Sequence, residues 1–268
     1  MIVNSNNTQL HYTDSGQGTP VMLIHGFPLC HKMWQPQAQA LLDAGYRVIL
    51  PDLRGFGSSP AGTATPSIDR YADDLVALLD HLNIEQAVIG GMSMGGYVLL
   101  NLLARYPQRV AAACFIVTRA DGDDDTARAK RNHLLAEVDA GRPQAVADAF
   151  TQVLFGPGIP DQQPELVAEV RSWMLATSPE GLRFGLTAIR DRADSTALLP
   201  EQRLPSLVIG AELDRALPVE KSYAIARAIP GARLQIVRGA GHMANREKSE
   251  VVNEMLLEFL STTVPGPE

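Results

Sequence analysis

Cysteine is scarce in this 268-residue chain, which has only Cys30 and Cys114. Cys30 stands beside a loop motif and Cys114 within an apolar strand candidate. No disulfide framework is implied, and a reducing cytoplasm is the expected compartment. Cys114 reads as a small core residue. Long hydrophobic runs are also missing: none approaches the ~18–20 residues of a membrane span. Residues 1–7 lack the basic and apolar regions of a signal peptide. Positive charge is not in excess, since 23 Lys and Arg face 30 Asp and Glu for a net charge of −7. That balance argues against nucleic acid or an anionic membrane as the main partner. Internal repeats, low-complexity tracts and metal-ligand clusters are absent as well. What is present is an ordinary globular composition, 46% hydrophobic and 20% charged, with length enough for one large core and an insertion.

Two short strands are expected at Ile2-Val3 and Gln9–Thr13, joined by a turn at Asn4–Asn7. Val21–Ile24 is a continuous apolar run, the pattern of a strand covered on both faces. A helix over Met33–Ala44, a strand over Tyr46–Leu50 and a helix over Ile68–Leu82 follow, the last with Leu75, Leu78, Leu79 and Leu82 on one face. Strands at Ala87–Ile89 and Val110–Val117 flank another amphipathic segment from Tyr97. This alternation implies right-handed crossovers and a mostly parallel sheet, an α/β fold. Between Arg119 and Leu199 the rhythm breaks into helical candidates over 123–140, 143–154, 164–177 and 179–192. Ser178-Pro179-Glu180 has the form of a helix start, and the block is too long for an ordinary connection. It reads as a helical insertion over the sheet. Alternation returns with strands at Leu207–Gly210 and Leu234–Val237 and helices over Pro218–Ile229 and Lys248–Leu260; the tail from Ser261 is expected to fray.

The densest pattern is Gly90-Gly91-Met92-Ser93-Met94-Gly95-Gly96. It lies between a strand and a helix, the context of a G-x-S-x-G nucleophile elbow. Such a turn forces Ser93 into positive φ and leaves no room for side chains at Gly91 and Gly95. A serine hydroxyl needs a neighbouring base, and the base an orienting acid. His242 follows the last strand at its carboxyl end, the edge to which the elbow also points, and is the candidate base. Asp214, after the strand Leu207–Gly210, is the candidate acid; Glu212 and Asp121 are its rivals. An oxyanion requires fixed N–H donors. Met94, at the start of a helix, and Phe27, in the loop after Val21–Ile24, can supply them, whereas Pro28 has no N–H. His25 reads as structural, and Asp123–Asp125 as helix-capping residues.

Taken in order, His25-Gly26-Phe27-Pro28, Asp52-Leu53-Arg54-Gly55-Phe56-Gly57-Ser58-Ser59, Gly91–Gly96 and Gly239-Ala240-Gly241-His242 resemble the α/β-hydrolase fold family. In detail the chain is similar to its small bacterial carboxylesterase and 3-oxoadipate enol-lactonase-like group. The resemblance spans about residues 20–260. It implies an eight-stranded, mostly parallel sheet with helices on both faces and a helical cap after strand 6, dividing the chain into a core (1–118 and 200–268) and a cap (119–199). It also implies a Ser93–Asp214–His242 triad and no metal or organic cofactor. Leu213 departs from relatives that often carry an acidic or small residue there. Related dehalogenases and epoxide hydrolases have aspartate at the elbow, so Ser93 argues against both.

The function expected is hydrolysis of small or medium carboxylic esters through an acyl-enzyme, with a small-molecule ester or lactone as substrate and water as co-substrate. Phe27, Met94, Trp173, Met174 and Met243 could line an apolar pocket, although Trp173 and Met174 also suit ordinary packing. Arg119 could clamp a substrate carboxylate or pair with Asp121 or Asp123. A clamp would fit an enol-lactonase or a C–C bond hydrolase, and a cofactor-free haloperoxidase or perhydrolase shares the same triad. An intact nucleophile, acid and base weigh against a non-catalytic ligand receptor on this fold.

Overall fold

The computed structural model describes residues 1–263. In chain order its elements are β1 (Ile2–Ser5), β2 (Thr8–Ser15), β3 (Pro20–Ile24), α1 (Gln35–Asp43), β4 (Arg47–Pro51), α2 (Ile68–His81), β5 (Ala87–Met92), α3 (Met94–Arg105) and β6 (Val110–Ile116). Then come α4 (Asp125–Asp139), α5 (Gln144–Leu154), α6 (Ile159–Gln162), α7 (Pro164–Leu175) and α8 (Pro179–Arg190). The chain closes with β7 (Ser206–Ala211), α9 (Glu220–Ala228), β8 (Arg233–Val237), α10 (Ala244–Glu247) and α11 (Ser249–Thr263). The eight strands form one sheet in the order β1-β2-β4-β3-β5-β6-β7-β8. β2 runs antiparallel to both its neighbours, and β4-β3-β5-β6-β7-β8 are parallel. The first turn uses Asn6 and Asn7 at φ 44° and 64°, a left-handed conformation that asparagine tolerates.

The continuous apolar strands are explained by burial on both faces. Along β3, Met22 and Ile24 join the cluster under α2 and α3, while Val21 and Leu23 join the cluster under α1 and α11. Cys114 lies in the second cluster, as a core residue should. Leu75, Leu78 and Leu79 are fully buried, so the predicted stripe of α2 is the face that meets the sheet. Ser67 accepts from Arg70 N and Ser178 from Gly181 N, capping α2 and α8. α6 and α10 have no signature in the sequence because a single turn cannot repeat an apolar stripe. The tail expected to fray from Ser261 continues α11 to Thr263, and residues 264–268 lie outside those described.

The helices α4–α8 form an insert between β6 and β7, and its two ends are fastened together. Ser195 N donates to Ala120 O at 2.9 Å, and Arg192 donates to Asp123 Oδ1 and Asp121 O at 2.6 and 2.8 Å. Asp124 alone of the three neighbouring aspartates caps α4, accepting from Ala127 N. Asp123 turns inward instead, against Arg119, Arg131 and Arg192. Burial would raise its carboxyl, but these guanidinium groups, Arg192 foremost, hold it below the ordinary range.

A second buried charge pair anchors the loop after β4. Arg54 Nε and Nη2 donate to Asp74 Oδ2 and Oδ1 at 2.8 and 2.9 Å, with side-chain exposures of 0% and 1%. Asp74→Ala leaves Arg54 charged and unpaired in the core, so it lowers stability by about 3–5 kcal/mol. Replacing both residues by apolar side chains of similar volume costs less than the single change. Urea unfolding of the single and double variants checks this order; a double variant less stable than Asp74→Ala refutes it.

Candidate active site

The elbow is set by backbone contact. Ser93 has φ 52° and ψ −115°, a conformation costly for a residue with a side chain. A Cβ on Gly91 would overlap the Gly95 carbonyl, and one on Gly95 would overlap the Ile24 carbonyl. Glycine at both positions is therefore a packing requirement. Ser93 N donates to Ile116 O at 3.0 Å, and Ser93 O accepts from Thr118 Oγ1 at 2.8 Å. These bonds fasten the strained turn to β6. Ser93 itself is half-buried, and its Oγ makes no hydrogen bond to another described residue.

Asp214 and His242 are brought together by the loops after β7 and β8. His242 Nδ1 donates to Asp214 Oδ2 at 2.7 Å, with side chains 3% and 1% exposed. Asp214 Oδ1 accepts from Ala216 N and Leu217 N at 2.8 and 2.9 Å. With both oxygens accepting, Nδ1 carries the hydrogen and Nε2 keeps the free lone pair that a base requires. The rival acids are engaged elsewhere. Glu212 accepts from Gly239 N, and Asp121 pairs with Lys221 Nζ at 2.9 Å.

Met94 is the first residue of α3, so its N–H has no partner within the helix. Phe27 is buried in the loop after β3, and its N–H makes no hydrogen bond to a described residue. The loop between them is held by His25, which is fully buried. Its Nε2 accepts from Leu53 N at 2.9 Å, so Nδ1 donates to Gly26 O at 2.8 Å. Burial lowers the pKa of this ring to about 4. Nearby, Asp52 accepts from His31 N, His31 Nδ1 and Ser58 N at 2.8, 2.8 and 3.0 Å. Burial works to raise this carboxyl, and the bonds from His31 bring it below its ordinary value.

The candidate substrate contacts lie apart from the His242–Asp214 pair or within the core. Arg119 bonds Asp123 and Gly122 O and approaches Asp121 at 3.5 Å. It lines a cavity of about 230 Å³ with Tyr97, Asn101 and Arg192, and none of Ser93, Asp214 and His242 lines that cavity. Met243 is fully buried in the core, and Trp173 packs against the same cluster under Arg246. Among the described residues, no group of three or more His, Cys, Asp or Glu is arranged to hold a metal ion. Glu247, buried five residues after His242, carries no signal in the sequence, because its helix is one turn long and its partners are backbone N–H groups.

Residues 19–249 match the family described as the alpha/beta hydrolase fold. The chain belongs to this family. A thermophilic esterase from Thermogutta terrifontis, solved with malate bound, superposes on this α/β hydrolase with a TM-score of 0.94 and 34% identity, covering 98% of this chain and 99% of that one. An enol-lactonase from Burkholderia xenovorans gives a TM-score of 0.91 at 28% identity over 97% and 100%. A non-heme chloroperoxidase of Kitasatospora aureofaciens is 31% identical over 94% of this chain and 96% of its own. No helix among the described residues is long and apolar enough to cross a membrane.

His25 makes this α/β hydrolase sensitive to acid. The ring's pKa is about 4 in the fold and 6.5 when unfolded, so between those values the unfolded chain binds the extra proton. Stability is therefore full above about pH 6.5 and falls as pH drops toward 4, by up to about 3 kcal/mol. Urea midpoints from pH 7.5 to 4.5 check this, with a shallower slope for His25→Asn; an equal slope in the variant refutes it.

Proposed function

We propose that the chain is a serine hydrolase cleaving carboxylic esters of small to medium acyl groups. The observation that carries this reading is the strained Ser93 elbow, at the same sheet edge as a buried His242–Asp214 pair with Nε2 free. In the proposed reaction, substrate draws Ser93 Oγ and His242 Nε2 into the contact left open at rest. His242 takes the hydroxyl proton as Oγ attacks the ester carbonyl. The oxyanion is stabilised by the N–H groups of Phe27 and Met94. His242 then protonates the departing alcohol, and Asp214 holds the ring and stabilises its cationic form. Water attacks the acyl carbon as it gives a proton to His242, and His242 passes that proton to Ser93 Oγ as the bond to the acid breaks. The insert serves as a cap that borders the site and sets the acyl preference.

Likeness to the Thermogutta esterase supports ester chemistry. The enol-lactonase neighbour supports a second reading, a carboxylate-bearing substrate. Against a clamp at Arg119 stand its existing bonds to Asp123 and Gly122 and its approach to Asp121. Hydrolysis of a short-chain chromogenic ester tests the first reading: Ser93→Ala lowers kcat by at least about 10⁴-fold, and Asp214→Asn by about 10³–10⁴-fold. Turnover unchanged in Ser93→Ala overturns it. On paired neutral and carboxylate-bearing esters and lactones, Arg119→Ala leaves the preference unchanged within about threefold, less than one bidentate charge contact contributes. A larger loss confined to the carboxylate-bearing members restores the clamp and the lactonase reading.

A further inference from the structure

The loop that carries His242 is joined to the insert through one buried carboxylate. Glu247, at the end of α10, is 5% exposed. Its Oε2 accepts from Gly241 N at 2.8 Å, and its two oxygens share Gly156 N at 3.3 and 3.4 Å. Gly241 immediately precedes His242, and Gly156 lies in the turn between α5 and α6. The two glycine backbones abut: a Cβ on Gly241 would overlap Gly156 N, and one on Gly156 would lie 3.0 Å from Gly241 N. Two further contacts close the same seam. Met243 N donates to Leu154 O at 2.9 Å, and Arg246 reaches Glu169 at 2.6 Å while lying over Trp173 at 5.1 Å. Without Glu247 both glycine N–H groups would be buried and unpaired, and an apolar side chain could fill the space but could not accept from them.

We propose that Glu247 is a positioning residue, which holds the His242 loop in register with the α5–α6 turn by accepting from Gly241 and Gly156 together. This rests on the reading of His242 as the base. The carboxylate has a second consequence. Burial raises its pKa, while the N–H groups of Gly241, Gly156 and Met243 and a charge on His242 oppose the rise. His242 therefore stands between two carboxylates, Asp214 bonded to its ring and Glu247 behind its backbone; Arg246 on the same short helix is engaged by Glu169 of α7.

Glu247→Gln and Glu247→Ala in the full chain test this. The readouts are ester kinetics, the rate at which Ser93 is labelled by a fluorophosphonate, and amide hydrogen exchange at Gly156 and Gly241. In Glu247→Ala both amides lose protection, and kcat and labelling fall by about 10²-fold with KM changed less than about threefold, the scale of a small misplacement of a reacting group. Glutamine can accept from only one side, so Glu247→Gln keeps the shorter bond to Gly241, frees Gly156, and retains kcat within about tenfold. A folded Glu247→Ala with parental kcat and amide protection overturns the proposal. Should that variant not fold, unchanged Gly156 exchange in Glu247→Gln overturns it. If the parent chain neither hydrolyses esters nor reacts with the fluorophosphonate, the ester reading fails, and amide exchange still decides whether Glu247 holds the two loops together.

Discussion

The close approach of β5, the start of α3 and the end of β3 is the constraint on which the rest of the site depends. The chain passes from strand to helix through one residue, and that residue takes positive φ. The turn is compact enough that the Gly91 and Gly95 backbones lie against Gly95 and Ile24. Strain at Ser93 persists because its surroundings over-determine it: its N–H and carbonyl are both bonded to β6 or to the residue pair beyond it. The same approach brings the loop after β3 beside Ser93, with a Cβ on Gly26 only 3.3 Å from the Ser93 Cβ. The two free N–H groups proposed for the oxyanion thus result from the elbow's packing.

Around this apolar framework the loops are held by buried charge. Asp52 gathers three donors, Arg54 and Asp74 form a two-bond pair out of water, Asp123 collects three guanidinium groups, and Glu247 gathers backbone N–H groups from two segments. Each buried carboxylate is costly by itself and stabilising only when all its acceptor capacity is met. Such groups are directional, and they tolerate one loop arrangement where hydrophobic contact would tolerate several. These loops border the carboxyl edge of the sheet, where His242 and Asp214 are bonded to each other.

That division explains which parts were legible in the sequence. The elbow, the parallel sheet and the stripe of α2 were readable because sterics and periodicity impose residue types locally. His242 and Asp214 were readable because chain order in an open α/β sheet puts the ends of successive parallel strands at one edge. Asp123 was read as a cap, since it neighbours a helix start; its actual partners include Arg192, 69 positions away. Glu247 was invisible for the same reason, with one partner 91 positions distant and both of them backbone. Arg119 was legible as a rim residue but not as one occupied by Asp123, because ion-pair choice among several nearby carboxylates is decided by tertiary geometry.

The insert is held in a different way from the elbow. It is covalently tied to the core only at β6 and β7, where Asp123 and Arg192 join its ends, and α8 packs Leu182 and Leu186 into the same apolar cluster as Phe27 and Phe56. A body fixed at its ends and at the His242 loop cannot move as a hinged lid without breaking buried hydrogen bonds. Elbow and insert therefore answer to different constraints. The first is fixed by backbone contact and admits almost no substitution, while the second is held at a few polar points between which its apolar residues are free to differ.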